Sequence, residues 1–194
     1  MDPIEVTAAA FGIASVYLSA RQNVWNWPLG IINVALYIYV FYNAKLYADM
    51  GLQAVYVVLA AYGWWHWLHG GANRGTLRVS RMPTREIILL GVAFVVGTAT
   101  LTTFLARATD ASLPFADSAL TAASLVAQYM MTRKYVECWL VWIVADVAYV
   151  AMFIYKSLWP TAGLYLVFAV LAVVGWRQWR ASLRDQAATE AAFA

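Results

Sequence analysis

The chain has 194 residues, of which 63% are apolar and 12% charged, with 13 lysines and arginines against 10 acids. Soluble domains average roughly 45–50% apolar and about 25% charged, so a water-soluble globule is excluded for want of charge to cover it. The composition fits an integral membrane protein of several spans, each about 20 residues long, with no room left for a soluble domain.

The first apolar run, 4–20, follows Met1-Asp2-Pro3-Ile4-Glu5, which lacks the basic n-region and cleavage site of a signal peptide. It is expected to stay as a span. Arg21-Gln22-Asn23 closes it, and a second run covers 25–42. After Asn43-Ala44-Lys45 comes 47–68, then a polar segment from His69 to Arg85, and then 86–106. Arg107 to Pro114 separates this from 116–132, Arg133-Lys134 precedes 138–155, and Lys156-Ser157 precedes 160–179. The tail from Ala181 to Ala194 is short and expected to fray. In lipid every backbone group must bond internally, so all seven runs are predicted to be helices. The fold class is therefore all-α integral membrane with seven transmembrane helices in one transmembrane domain spanning 1–194.

Shifted by 112 positions, the chain matches itself without a gap. Arg21 to Trp67 falls on Arg133 to Trp179, with identities at Arg21/Arg133, Trp27/Trp139, Tyr37/Tyr149, Phe41/Phe153, Gly63/Gly175 and Trp67/Trp179 among others. One unit has been used twice. Repeat one is 4–68, repeat two 116–179, and 86–106 is an unpaired linker helix. Three helices reverse direction, so an odd linker makes the two copies parallel, a 3+1+3 arrangement in which a substrate site is expected near the midplane between the copies.

Lysine and arginine gather on one side: Arg21, Arg74, Arg78, Arg81, Arg85, Arg133, Lys134, Arg177, Arg180 and Arg184. The other side has Lys45, Arg107 and Lys156. The positive-inside rule then puts the C-terminus in the cytoplasm and the N-terminus outside. Trp25, Trp27, Trp64, Trp65, Trp67, Trp159, Trp176 and Trp179 lie near span ends and for the most part suit interfacial belts.

Polar side chains deep in spans are costly and therefore informative. Trp139, Trp142, Asp146 and Tyr149 recur at spacings of three, four and three, which places two indoles, a carboxylate and a phenol on one helical face. Asp146 is the only acid near the middle of a span. Asn33 and Tyr37 share a face of the second helix with Asn26 and Gly30; Asp49, Gln53 and Tyr56 share one on the third. Thr121, Ser124 and Gln128 follow on the fifth, and Thr161, Tyr165 and Phe168 on the seventh. Each has a plainer role: Ser124 and Thr121 bonding a neighbouring helix, Tyr37 and Tyr149 packing, Asp146 protonated and bonded to the next helix. Two tryptophans beside a carboxylate suit a planar cationic ring, through stacking and cation–π attraction of about 2 kcal/mol when desolvated. His66 and His69 have no third ligand at metal spacing and are expected to be structural. A lone cysteine, Cys138, excludes an intramolecular disulfide and a cysteine-rich metal site. No cofactor and no nucleic-acid partner are expected.

Trp27-Pro28-Leu29-Gly30-Ile31-Ile32-Asn33-Val34, Leu46-Tyr47-Ala48-Asp49 with Leu52-Gln53, Tyr62-Gly63-Trp64 with Trp67, Ser124 to Gln128, and Trp139-Leu140-Val141-Trp142 with Asp146 occur here in that order. Together they resemble the PnuC-type vitamin transporters, whose best-known members carry nicotinamide riboside. The resemblance covers nearly the whole chain. It implies a full-length SWEET-like carrier, multi-pass in a bacterial inner membrane and homotrimeric, that works by facilitated diffusion while a cytoplasmic kinase phosphorylates the substrate. It also implies that Trp139 and Trp142 flank the substrate ring, and that Asn33, Tyr37, Gln53, Gln128, Asp146 and Tyr149 line the site. Tyr56, on the face of Gln53, is a further substrate-binding candidate. The chain departs from the pattern at Cys138, where asparagine is expected in many nicotinamide riboside carriers. Relatives carrying thiamine or riboflavin are therefore alternatives. An intramembrane enzyme is the rival from another class; it lacks a base or nucleophile at the depth of Asp146.

Overall fold

The computed structural model describes residues 3–43, 47–108 and 113–192; Lys45 and the side chain of Asp49, named above, lie outside the described residues. Among the described residues seven α-helices follow one another: α1 (Pro3–Ala20), α2 (Asn26–Asn43), α3 (Tyr47–His69), α4 (Thr84–Ala108), α5 (Pro114–Thr132), α6 (Cys138–Tyr155) and α7 (Trp159–Ala192). Among the described residues there is no strand, only an isolated parallel bridge between Ser80 and Tyr135.

Helix bounds agree with expectation to within two residues except at the C-terminus. There α7 runs for 34 residues and does not fray after 179. The reason is local: the tail is rich in alanine, arginine, glutamine and glutamate, all good helix formers. Thr189 Oγ1 also donates to the Asp185 carbonyl at 2.8 Å, and Leu183 packs on the core. Four helices, α1, α4, α6 and α7, are long and apolar enough by themselves to cross a membrane. The other three carry the amides and hydroxyls that dilute their apolarity, and several of these line an interior cavity.

Helix α1 packs on α2 and α7, α3 on α2 and α5, and α6 on α5 and α7, while α4 rests mainly on α5. This leaves Ile88, Val92, Val95 and Val96 of α4 more than half exposed. In water such a stripe would be a large apolar patch; against lipid chains it has no cost.

Two helix ends are built alike without glycine. Gln22 and Lys134, 112 positions apart, have φ of 55° and 58°. Asn23 N–H then bonds the Leu18 carbonyl and Gln22 N–H the Ser19 carbonyl, as Tyr135 N–H bonds Met130 and Lys134 N–H bonds Met131. This is the Schellman arrangement, here tolerated in side chains that bear a Cβ.

The core lies at the end of the bundle that carries Arg21, Arg133 and Arg180. Three tryptophans expected in a belt are buried in it: Trp27 at 3%, Trp67 at 3% and Trp179 at 0% exposure. They leave the interface because the helices supply room and partners for them. A Cβ on Gly63 would stand 2.3 Å from the Trp27 ring, and one on Gly175 would stand 2.6 Å from the Trp139 ring. Trp67 Nε1 donates to the Met131 carbonyl at 3.0 Å, and Trp179 Nε1 to the Ser19 carbonyl at 3.1 Å. Trp25, Trp64, Trp65 and Trp159 remain exposed, as interfacial anchors should.

The segment between α3 and α4 is fastened over this end. Ser80 N–H bonds the Lys134 carbonyl and Val136 N–H bonds Ser80, while Met82 N–H donates to Glu137 Oε2 at 3.0 Å. Lys134, counted above with the basic residues of this side, is buried beneath the strap: its Nζ donates to the Leu77 carbonyl at 2.9 Å and lies 4.5 Å from the Trp67 ring centroid. At the opposite end Lys156 Nζ pairs with Asp117 Oδ1 at 3.3 Å.

Candidate functional site

A cavity of about 440 Å³ runs through the middle of the bundle, a volume suited to a small organic ligand. Its wall is built from α1, α2, α3, α5, α6 and α7, and α4 does not reach it. Asn33 and Tyr37 of α2, Gln53 and Tyr56 of α3, Gln128 of α5, and Trp139, Trp142, Asp146 and Tyr149 of α6 all line this one space. Four helices thus bring together the nine side chains that the sequence singled out.

Their surroundings differ. Asp146 is buried at 3% exposure, and among the described residues no cation or hydrogen-bond donor reaches its carboxylate. A buried charge without a partner is expensive, and the partner can come only from within the cavity. Trp142, four residues earlier on α6, is half-buried with its ring on the cavity wall. Trp139 stands one turn nearer the basic end at 1% exposure, its ring perpendicular to that of Trp179 at 5.4 Å. It is the floor of the cavity, whereas Trp142 is part of its side.

Two polar side chains of the wall also reach a neighbouring helix. Asn33 donates through Nδ2 to the Ala8 carbonyl of α1, which leaves its amide oxygen for other work. Ser124 Oγ lies 3.5 Å from the Tyr149 hydroxyl, a long contact between α5 and α6. Gln53 and Gln128 are half-buried on the cavity wall.

Toward the end away from the arginines the wall becomes aromatic. Tyr37 stacks on Phe41 at 5.9 Å and 27°, and Tyr149 stacks on Phe153 at 5.8 Å and 13°. Tyr165 of α7 joins the second pair, 4.6 Å from Tyr149. Phe41 and Phe153 were not picked out as site residues; their identity across the 112-residue shift, at one turn beyond a polar tyrosine, was the signal that could have found them. Trp27, read as an anchor, lines the floor opposite Trp139. Cys138 is fully buried in the core and is not on the cavity wall. His66 and His69 stack on Tyr62 and Trp65 at the end of α3, and among the described residues no cluster of three potential metal ligands exists.

A bundle of helices with lipid-grade outer faces, enclosing a cavity whose polar groups come from six of them, defines a polytopic membrane transport protein. The chain belongs to the nicotinamide mononucleotide transporter family, which it matches over residues 2–181. It is similar to the nicotinamide riboside transporter PnuC of Escherichia coli (strain K12), with 26% identity over 208 positions that cover 94% of this chain and 87% of the relative. The nicotinamide riboside transporter PnuC of Neisseria mucosa is 29% identical, covering 89% of this chain and 70% of its own length. The riboflavin/roseoflavin transporter RibM of Streptomyces davaonensis is 28% identical over 87% of this chain and 80% of its own. Among solved structures, that of the vitamin B3 transporter PnuC superposes with a TM-score of 0.74 at 26% identity, over 94% of this chain and 82% of that one.

Proposed function

We propose that this protein carries nicotinamide riboside across a bacterial plasma membrane by facilitated diffusion. The observation that carries the reading is the pairing of a buried, unpartnered Asp146 carboxylate with the Trp142 ring on one face of α6. A cationic pyridinium ring stacks on the indole and neutralises the acid, and neither attraction is available to a neutral sugar. Gln53, Gln128, Asn33 and Tyr56 supply hydrogen bonds for the ribose hydroxyls and the carboxamide, while Tyr37 and Tyr149 border the ligand on the aromatic side. Trp139 closes the floor below it.

The like geometry of Gln22 and Lys134, and of the Gly63/Trp27 and Gly175/Trp139 contacts, supports reading the chain as two parallel units, 4–68 and 116–179, around a linker helix at 86–106. The basic end is then cytoplasmic, and the assembly a trimer with one pathway per subunit. A cytoplasmic kinase that phosphorylates the product keeps the inward gradient.

Binding to purified protein tests the substrate. Nicotinamide riboside is expected to bind and to lose about tenfold or more in affinity in Trp142→Ala and in Asp146→Asn, the size of a lost cation–π or charge contact. Equal binding by Asp146→Asn would overturn the electrostatic account. The similarity to RibM gives a second reading, a riboflavin carrier. Preferential binding of riboflavin, insensitive to Asp146→Asn, would establish that reading instead; thiamine, also cationic, is the third ligand to compare.

A further inference from the structure

Four indoles form a continuous chain at the basic end of the cavity, where Trp27 and Trp139 line the floor and Trp67 and Trp179 lie behind them. Trp27 meets Trp67 edge-on at 5.3 Å and 88°, Trp67 meets Trp179 at 5.9 Å, and Trp179 meets Trp139 edge-on at 5.4 Å and 89°. Trp27 and Trp139 are 112 positions apart, as are Trp67 and Trp179, and the carbonyls of Ser19 and Met131 that accept from the second pair are 112 apart as well. The layer is therefore two-fold symmetric in rings and in bonds. Packed aromatic rings exclude water, so this layer separates the cavity from the basic end of the bundle.

The two pairs differ in how their N–H groups are satisfied. Those of Trp67 and Trp179 bond across the boundary between the halves, from α3 to α5 and from α7 to α1. Those of Trp27 and Trp139 are buried without a partner among the described residues. A buried donor left unbonded is costly, and separating the layer restores a partner to it; separating the layer also breaks the other two bonds. Two bonds lost and two donors released nearly offset each other, which is the condition for a barrier that opens and closes without a strong preference.

We propose that the four indoles are the gate at the basic end of the pathway, held shut by Trp67 and Trp179 and biased toward opening by Trp27 and Trp139. This rests on the reading of the chain as a two-unit carrier. Trp67 and Trp179 touch no cavity ligand in this arrangement and act as positioning residues, since they set the population of the open state through the carbonyls of the opposite half.

The test reads access through the gate. In a Cys138→Ser background, Ala60→Cys places a thiol on the cavity wall next to the indole layer, and Ala172→Cys provides the same reporter in the other half. The protein is reconstituted in vesicles, and a membrane-impermeant maleimide is added from one side and then from the other. Trp67→Phe and Trp179→Phe keep a ring but remove the N–H, and each is expected to speed labelling about fivefold, the equivalent of one ordinary hydrogen bond. Trp27→Phe and Trp139→Phe, the same chemical change, are expected not to speed it. If all four accelerate labelling alike, ring size rather than bonding governs the seal and the proposal falls. It falls too if none changes the rate. Labelling enhanced only from the face opposite the cytoplasm would correct the orientation while leaving the gate in place. Nicotinamide riboside binding by the unsubstituted reporter separates this from the substrate reading, which can fail by itself without altering the labelling pattern.

Discussion

Lys134 turns α5 into the loop before α6 with φ at 58°, and its ammonium is enclosed between the Leu77 carbonyl and the Trp67 face. Burial draws its pKa down from 10.5 to about 8. The unfolded chain therefore holds this proton up to pH 10.5, while the folded protein gives it up near 8. Stability from this group is constant below pH 8, at its least favourable, and rises with pH between about 8 and 10.5. In detergent, the melting temperature is expected to gain between pH 7.5 and 9.5 relative to Lys134→Met, which retains the stem but cannot titrate. Parallel pH profiles for the two proteins would refute this account. From the sequence Lys134 counted simply as one more basic residue of a loop. Its spacing from Trp67 along the chain carries no hint that the two meet.

Among the helices, the closest constraint is the contact between a glycine and an indole ring. Gly63 of α3 meets Trp27 of α2, and Gly175 of α7 meets Trp139 of α6, at distances that leave no room for a methyl group. Gly63→Ala and Gly175→Ala are each expected to destabilise the protein by about 1–3 kcal/mol, the usual cost of overpacking. Gly91 of α4 has nothing within 4 Å of a Cβ. There the same change is expected to stabilise by up to about 1 kcal/mol through helix propensity. Thermal unfolding of the three variants checks both signs, and a common sign would show that propensity rather than packing decides. The positions of the helices were legible in the chain because apolar runs and polar breaks mark them directly. The destination of Trp27, Trp67 and Trp179 was not. An amphipathic ring near a span end suits an interface or a core equally, and what chooses is the glycine facing Trp27 and the carbonyls that accept from Trp67 and Trp179. The extension of α7 was missed for a different reason, since loss of apolarity marks the end of a span and not the end of a helix.

For the whole molecule, the proposed pathway is the interior cavity lined by six helices, and Asp146 is the one carboxylate among the described residues of its wall. Uptake of nicotinamide riboside into sealed proteoliposomes is expected to stop at equal concentrations inside and out, with or without a pH or sodium gradient. Accumulation beyond equality under either gradient would assign Asp146 a coupling role in place of simple charge pairing. A trapped kinase with ATP inside the vesicles is expected to raise total uptake well above that limit by removing the free substrate.

The sequence by itself determined that the chain is a helical membrane protein, where its seven described helices lie, and that nine polar and aromatic side chains face one another, which all line the same cavity. Periodicity, the cost of polar groups in lipid and the 112-residue self-match are properties of the linear order. Tertiary structure alone decided which of those groups keep a free polar atom, that Trp139 packs against Trp179 while Trp142 stays half-buried on the cavity wall, and that four indoles meet ring to ring. These depend on which ring meets which glycine and which carbonyl lies within 3 Å of an N–H, and such distances arise between residues far apart along the chain.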